Sequence, residues 1–179
     1  MIESERLLLR RWKPEDRTPF AALNGSAKVT EFLPKQLTRA ESDDLLDRVE
    51  AHFKTRGFGL FAVERKDTGA FIGWTGLSVP RFEAPFMPAV EIGWRLAEEH
   101  WGHGFATEAA RRSLAFGFGD LGLAEIVSFT VPANLRSRAV MERLGMTRDP
   151  EDDFDHPNLA PDHPLRRHVL YRLKREDFS

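Results

Sequence analysis

The sequence predicts an α+β (mixed α/β) fold, on three observations. Two apolar runs rich in β-formers, Phe58–Glu64 and Phe71–Val79, are joined by Lys66-Asp-Thr-Gly69, a composition that favours a hairpin turn. A third strand, Val90–Leu96, leads into a glycine-bearing loop and then a helical pattern that runs from Gly104 to about Asp120. Glu125–Val131, another strand, passes through Pro132-Ala133 into a short helix from Leu135 to Leu144. Hairpin-linked strands followed by a β-loop-α-β-α order describe one mixed domain over residues 1–179, with no internal repeat and no linker.

The other elements follow from local chemistry. Glu5–Trp12 reads as a strand stopped by Lys13-Pro14, and Pro14-Glu15-Asp16 opens a helix with proline first and acids in the first turn. Thr38 and Glu41 have the spacing of a capping box. They head an amphipathic helix to about Lys54, with Leu45, Leu46, Val49 and Phe53 at helical spacing, and Gly57 ends it. Leu121-Gly122 closes the helix after Gly104, Asn134 is a plausible N-cap for the next, and Gly145 ends that one. Met146–Arg148 begins a strand and Val169–Leu173 is the last. Between them Asp149–His168 is acidic at its start, rich in proline and carries three histidines, too long for a simple connection.

Composition excludes several functions. The formal net charge is −2 and basic residues form no dense tract, so no broad positive field recruits nucleic acid or anionic lipid. No apolar run approaches the roughly 18 residues of a membrane helix, and Met1–Arg6 is unlike a signal peptide, so the expectation is a cytoplasmic protein. With no cysteine, disulfides, thiolate metal sites and a cysteine nucleophile are all impossible.

Residues Glu91–Ala110 carry most of the chemistry. Glycines at 102 and 104, just before a helix, expose consecutive backbone N–H groups where the helix dipole favours an anion. That arrangement predicts a phosphate-bearing cofactor. A dinucleotide fingerprint fits poorly: Thr107 occupies its third glycine position, Ala97–His100 separates strand from loop, and several strands come first. A Gly-Lys-Ser/Thr phosphate loop is absent, and a simple turn is the plain alternative.

The glycine loop, together with Asn134-Leu-Arg-Ser137 and Gly145, Glu91-Ile-Gly-Trp-Arg-Leu96 and the opening Ser4-Glu-Arg-Leu-x-Leu-Arg10, resembles the GNAT superfamily of N-acetyltransferases. The likeness extends to the branch that includes ribosomal-protein N-terminal acetyltransferases. The family's Gln/Arg-x-x-Gly-x-Gly/Ala loop falls here with Trp101 at its first position, a departure, and Gly104-Phe-Ala106 at its end. The resemblance implies a central, mostly antiparallel mixed sheet flanked by helices, with a splayed strand pair that takes acetyl-CoA as cosubstrate. It places the pyrophosphate on Trp101, Gly102, His103, Gly104, Phe105, Ala106 and Thr107, and the pantetheine on the backbone of Trp94, Arg95 and Leu96. Asn134 would contact the cofactor, Ser137 would lie near the thioester sulfur, and a homodimer is implied by likeness alone.

The implied chemistry joins an amine to a thioester carbonyl. Without cysteine, direct attack by the amine in a ternary complex is the simplest route. Ser137 is the candidate donor to the leaving sulfur and Glu91 the candidate base; an α-amine, titrating near about 8, asks less of that base than a lysine does. The acceptor is a protein N-terminus or a small molecule, and the acids of Asp149–Asp155 favour a cationic one. His156, His163 and His168 have no compact metal-ligand spacing, so no metal is expected. Phe82, Phe86 and Met87 belong either to the core or to the acceptor mouth. The rival reading from another class is a catalytically silent CoA-binding module.

Overall fold

The computed structural model describes residues 1–179 as one nine-stranded sheet with four α-helices. The strands are β1 (Ile2–Glu3), β2 (Leu7–Arg10), β3 (Leu60–Arg65), β4 (Phe71–Ser78), β5 (Glu91–Leu96), β6 (Glu125–Thr130), β7 (Thr147–Arg148), β8 (Phe154–Asp155) and β9 (Arg167–Lys174). The helices are α1 (Arg17–Gly25), α2 (Arg39–Arg56), α3 (Phe105–Gly119) and α4 (Leu135–Arg143). Strand order is β1-β2-β3-β4-β5-β6-β9-β7, with β8 added at the start of β9. Every pairing is antiparallel except β5 with β6, which gives the mixed, mostly antiparallel sheet.

Local signals set most boundaries. Thr38 Oγ1 accepts the Glu41 N–H at 3.2 Å while the Glu41 carboxylate accepts the Thr38 N–H at 2.9 Å, a complete capping box for α2. Gly57 closes that helix in the left-handed region, φ 78°. The β3–β4 hairpin turns at Lys66–Gly69, where the Gly69 N–H reaches Arg65 O at 2.8 Å. The expected helix at Pro14 is instead a single 3-10 turn running into α1. Its acid is the reason: Asp16 is buried, accepts the Lys13 N–H at 2.8 Å and takes the Arg10 guanidinium in two bonds of 2.7 and 2.9 Å. Arg10 also meets Glu64 at 2.5 Å, so β2, β3 and the head of α1 are clamped by one buried cation.

Strand alternation divides the sheet into two faces. Ile92, Trp94 and Leu96 point to the face covered by α3. There Leu77, Ile92, Leu114, Ile126 and Tyr171 form a core with Val140 and Met141 of α4. A second core joins Leu7, Leu9, Phe61, Val63 and Ile72 to Phe20 and Leu23 of α1 and Leu46, Val49 and Phe53 of α2. Fully burying each such side chain stabilises the fold by about 1.5–3 kcal/mol. Glu91, Gly93 and Arg95 alternate to the opposite face, where Val127, Leu170 and Phe154 form a smaller cluster. No helix is long and apolar enough to cross a membrane.

The Asp149–His168 segment is more ordered than a bare loop. It holds a 3-10 turn at Pro150–Asp152 and strand β8, which pairs Phe154 with His168. Three of its acids are held by arginines: Asp152 by Arg172 at 2.8 Å, Asp153 by Arg148, and Asp155 by Arg166 and Arg167. That pairing neutralises part of the negative charge of Asp149–Asp155, while Asp149 and Glu151 form no ion pair.

Candidate functional site

The loop between β5 and α3 is built to leave donors free. Ala97 N–H bonds Ile72 O at 3.0 Å, and residues Glu98–His100 make one 3-10 turn with Glu98 and Glu99 turned to solvent. Trp101 Nε1 then bonds Leu96 O at 2.8 Å, anchoring the loop to the strand end. Gly102 and Gly104 follow with φ of 77° and 79°, a left-handed conformation that side-chain-bearing residues adopt at a cost. Gly104 is the N-cap of α3 and has no capping side chain. None of the six backbone N–H groups from Gly102 to Thr107 donates to another protein group. Six free donors at the head of a 15-residue helix form a strong anion cradle. They fit a pyrophosphate, and no residue of the loop intrudes on the open side of Gly102.

Nearby charge is arranged around this cradle. Glu108, in the first turn of α3, is turned to the N-terminal strand: it takes Ser4 Oγ at 2.6 Å, the Arg6 N–H at 2.8 Å and Arg6 Nε at 2.7 Å. Burial works against that carboxylate, but these donors hold it below its ordinary range. Arg136 of α4, which the sequence pattern did not single out, lies 4.4 Å over the Trp101 ring, a cation at the loop's edge.

Below the loop, β5 and β6 part. They share one parallel pair, Glu91 with Val127; Val127 N–H reaches Val90 O at 2.9 Å and Ser128 Oγ reaches Ile92 O at 2.9 Å. Beyond that point no β5–β6 pairing remains. The carbonyls of Val90, Ile92 and Leu96 all point away from β4, so by alternation Trp94 aims its N–H and C=O into the gap. Leu96 offers only its N–H there, because Trp101 takes its carbonyl. Arg95 departs from expectation: its peptide faces β4, opposite Trp74, and only its side chain is free for a role.

Glu91 sits at the apex of the split. Its carboxyl makes no hydrogen bond or ion pair, and desolvation pushes its pKa up to about 8. It keeps part of its surface open while protein surrounds it, the situation of a group on the floor of a cleft. Asn134 and Ser137 stand at the other arm, past the end of β6. Asn134 is the α4 cap, accepting the Ser137 N–H at 3.3 Å, and its amide donates to Thr130 Oγ1 at 3.0 Å and Ser137 Oγ at 3.1 Å. The lone tyrosine, Tyr171, is 3% exposed, and its hydroxyl is committed to Glu142 at 3.0 Å and Arg138 at 3.3 Å. Ser137 and Thr130 are the hydroxyls left half-open at this arm, each accepting from the Asn134 amide.

The face bearing Glu91 is aromatic. Phe82 and Phe86 pack on Phe129 and Phe154, with ring centroids 4.8–6.3 Å apart, and His156 lies 4.4 Å from Phe82. They are both cluster and wall, since Phe82 and Phe86 stay partly open; Met87 joins no cluster. Burial holds His156 and His168 below the ordinary histidine range, and no three His, Asp or Glu side chains converge on a metal-sized point.

Comparison with known proteins agrees with this architecture. The acetyltransferase (GNAT) domain pattern matches residues 6–147. The "FsC-acetyl coenzyme A-N(2)-transacetylase" of Aspergillus fumigatus is 36% identical over 114 residues, 62% of this chain and 48% of that protein; the chain thus spans about half of that relative's length. An acetyltransferase from Agrobacterium tumefaciens superposes with a TM-score of 0.77 at 28% identity, covering 96% of this chain and 92% of that one. A ribosomal-protein-S5-alanine acetyltransferase from Vibrio fischeri shares the fold, with a TM-score of 0.76 at 20% identity over 99% and 97% of the chains. The splayed sheet and the donor loop are in keeping with the class that the domain match gives, an acetyltransferase. The chain belongs to the GNAT acetyltransferase domain family.

Proposed function

We propose that this chain moves an acetyl group from acetyl-CoA to a primary amine by direct attack in a ternary complex. The observation that carries the reading is the β5–β6 split beneath six free N–H donors. In this reading the cradle of residues 102–107 binds the pyrophosphate, with Arg136, ion-paired to Glu31 at 2.9 Å, at its rim. The C=O of Trp94 and the N–H of Leu96 complete their hydrogen bonds on the pantetheine, which leaves the Trp94 N–H to polarise the thioester carbonyl. Asn134 contributes by fixing the α4 head rather than through a free side chain.

Glu91 takes the proton of the attacking ammonium, directly or through one water; a carboxyl titrating near 8 is matched to an amine titrating near about 8. Ser137 supplies a proton to the departing sulfur, because the Asn134 amide occupies a lone pair of its oxygen and leaves its own O–H free to point outward. The ribosomal-protein branch rests on a fold-level likeness alone, so a small-molecule amine and a protein N-terminus are both acceptors to be tried. A homodimer belongs to the same reading, and sedimentation of the purified protein tests it.

The test is calorimetric titration with acetyl-CoA, with NAD as control and Gly104→Glu as the variant. Micromolar binding lost in the variant, followed by acetylation in an amine screen, supports the reading. Tight binding without transfer to any amine supports the silent module, and no binding ends both.

A further inference from the structure

Arg95 is a cation without a counter-charge. Arginines 10, 17 and 172 each meet two carboxylates, whereas Arg95 makes no ion pair at all. Its protein partners are the Asn24 Oδ1 of α1 at 2.6 Å and the Trp74 ring of β4, 5.3 Å from the guanidinium carbon. A guanidinium has five N–H donors, and only one of them is used here. The mount is rigid and neutral. Asn24 and Ser42 are fully buried, and Asn24 Nδ2 donates to Ser42 Oγ at 2.9 Å, which fixes the Oδ1 toward Arg95. Desolvation pulls the Arg95 pKa down to about 10, the mark of an enclosed charge with no acid beside it. Part of the residue nonetheless remains open to solvent.

Its position relates it to the reacting centre. Arg95 follows Trp94, whose peptide lies in the β5–β6 gap, and its side chain emerges on the face opposite α3, away from the phosphate cradle. Glu91 projects from the same strand and the same face four residues earlier, roughly 13 Å along the strand. Between them Gly93 contributes no side chain, and the Trp74 ring forms the floor, its edge 3.4 Å from where a Gly93 Cβ would stand, with the Arg95 guanidinium over it. A group that only tied α1 to β5 would need no charge, and an enclosed charge without a partner is costly. A bound carboxylate meets the guanidinium with two parallel hydrogen bonds and removes that cost.

Resting on the acetyltransferase reading above, we propose that Arg95, braced by Asn24 and Trp74, is a carboxylate subsite, so that the acceptor is a small amine that also carries a carboxylate, as a free α-amino acid does. The amine end lies toward Glu91 and the carboxylate on Arg95. A protein N-terminus carries an amide where this carboxylate would be and leaves the subsite unfilled.

The experiment compares kcat/KM for free L-amino acids, the matching carboxamides and short peptides, in the wild type, Arg95→Gln and Arg95→Lys. The wild type is expected to favour the free acids by tenfold or more. Arg95→Gln brings the acid-to-amide ratio close to one and Arg95→Lys retains part of it. Comparing ratios cancels the different amine pKa values of acids and amides. A wild-type ratio near one, or an Arg95→Gln loss that falls equally on both substrates, overturns the proposal while the acetyltransferase reading stands. Failure to bind acetyl-CoA would sink that reading instead. If no amine turns over, or the variants do not fold, N-acetyl amino acids and their amides are titrated into the CoA-saturated wild type while the Arg95 Nε–H resonance is followed by NMR. A shift produced by the acids and not the amides supports the subsite; equal or absent shifts overturn it.

Discussion

The Asn134 carboxamide grips Ser137 twice, accepting its backbone N–H at 3.3 Å and donating to its hydroxyl at 3.1 Å. One side chain thus caps α4 and decides which way the Ser137 proton faces. Ser137→Ala is expected to lower kcat by about 10- to 100-fold, at the modest end for a proton donor because a hydroxyl is a weak acid. Acetyl-CoA affinity should change by less than about threefold if, as proposed, the hydroxyl acts on the leaving sulfur. Steady-state kinetics beside calorimetry checks both. Asn134→Ala adds the loss of a cap, about 1 kcal/mol of stability, seen as a lower Tm.

The role proposed for Glu91 links activity to pH. Its carboxyl, pushed to about 8, is charged only in alkaline solution, so kcat should climb with pH and level off above about 8. Glu91→Gln should lower kcat by about 10²-fold or more and abolish that limb. A limb that survives in the variant would belong to the amine, and Glu91 would lose its role.

The same residue makes an opposite prediction for stability. Its folded pKa lies above the unfolded value of about 4.3, so between that value and 8 the native protein keeps a proton that the unfolded chain has lost. Stability contributed by the neutral acid is whole below pH 4 and declines as pH rises through 8. Glu91→Gln should melt with the wild type at pH 4 but be more stable at pH 9. The difference is on the order of 3 kcal/mol, less than the full shift because part of the carboxyl meets solvent. Identical melting curves at pH 9 would contradict the raised value.

Gly76 sits inside β4 with φ 153°, and a Cβ there would lie 2.2 Å from Gly59 O. Both the conformation and the contact exclude a side chain. Gly76→Ala should cost about 4 kcal/mol or more and yield mostly insoluble protein, whereas Gly119→Ala, where a Cβ meets nothing within 4 Å, should express normally.

The Arg10–Asp16 pair is 9% and 2% exposed at its side chains. Removing the acid strands a buried cation, so Asp16→Ala should lose about 3–5 kcal/mol. Glu64 remains beside Arg10, which places the loss at the lower end. Denaturant unfolding would show it as a fall in midpoint without a change in slope.

What was legible in the chain was local. Thr38 with Glu41, Gly57 after α2, Asn134 before α4 and the two glycines before α3 each declare a helix end through their own backbone chemistry, and each lies where the pattern put it. The family likeness supplied the splayed sheet in advance, yet nothing in the spacing of Glu91 and Val127 announces that they make the single parallel contact of two strands. The Asn24–Arg95 bond joins residues 71 apart and Asn24–Ser42 residues 18 apart. Such links arise only when helices and sheet dock, which is why Arg95 read as backbone and proved informative as a side chain. The Asp149–His168 segment read as a loop because β8 is too short to show periodicity; its order comes from pairing with β9 and from arginines within and beside the segment.

If the gap between β5 and β6 takes acetyl-CoA as proposed, the protein's persistence depends on its supply of cosubstrate. Hydrogen bonds that the chain leaves unmade are completed only by a bound molecule, so at a hundredfold excess over Kd the folded state gains about 2.7 kcal/mol by mass action. Starvation for acetyl-CoA would then act twice, slowing the reaction and exposing the idle molecules to proteolysis.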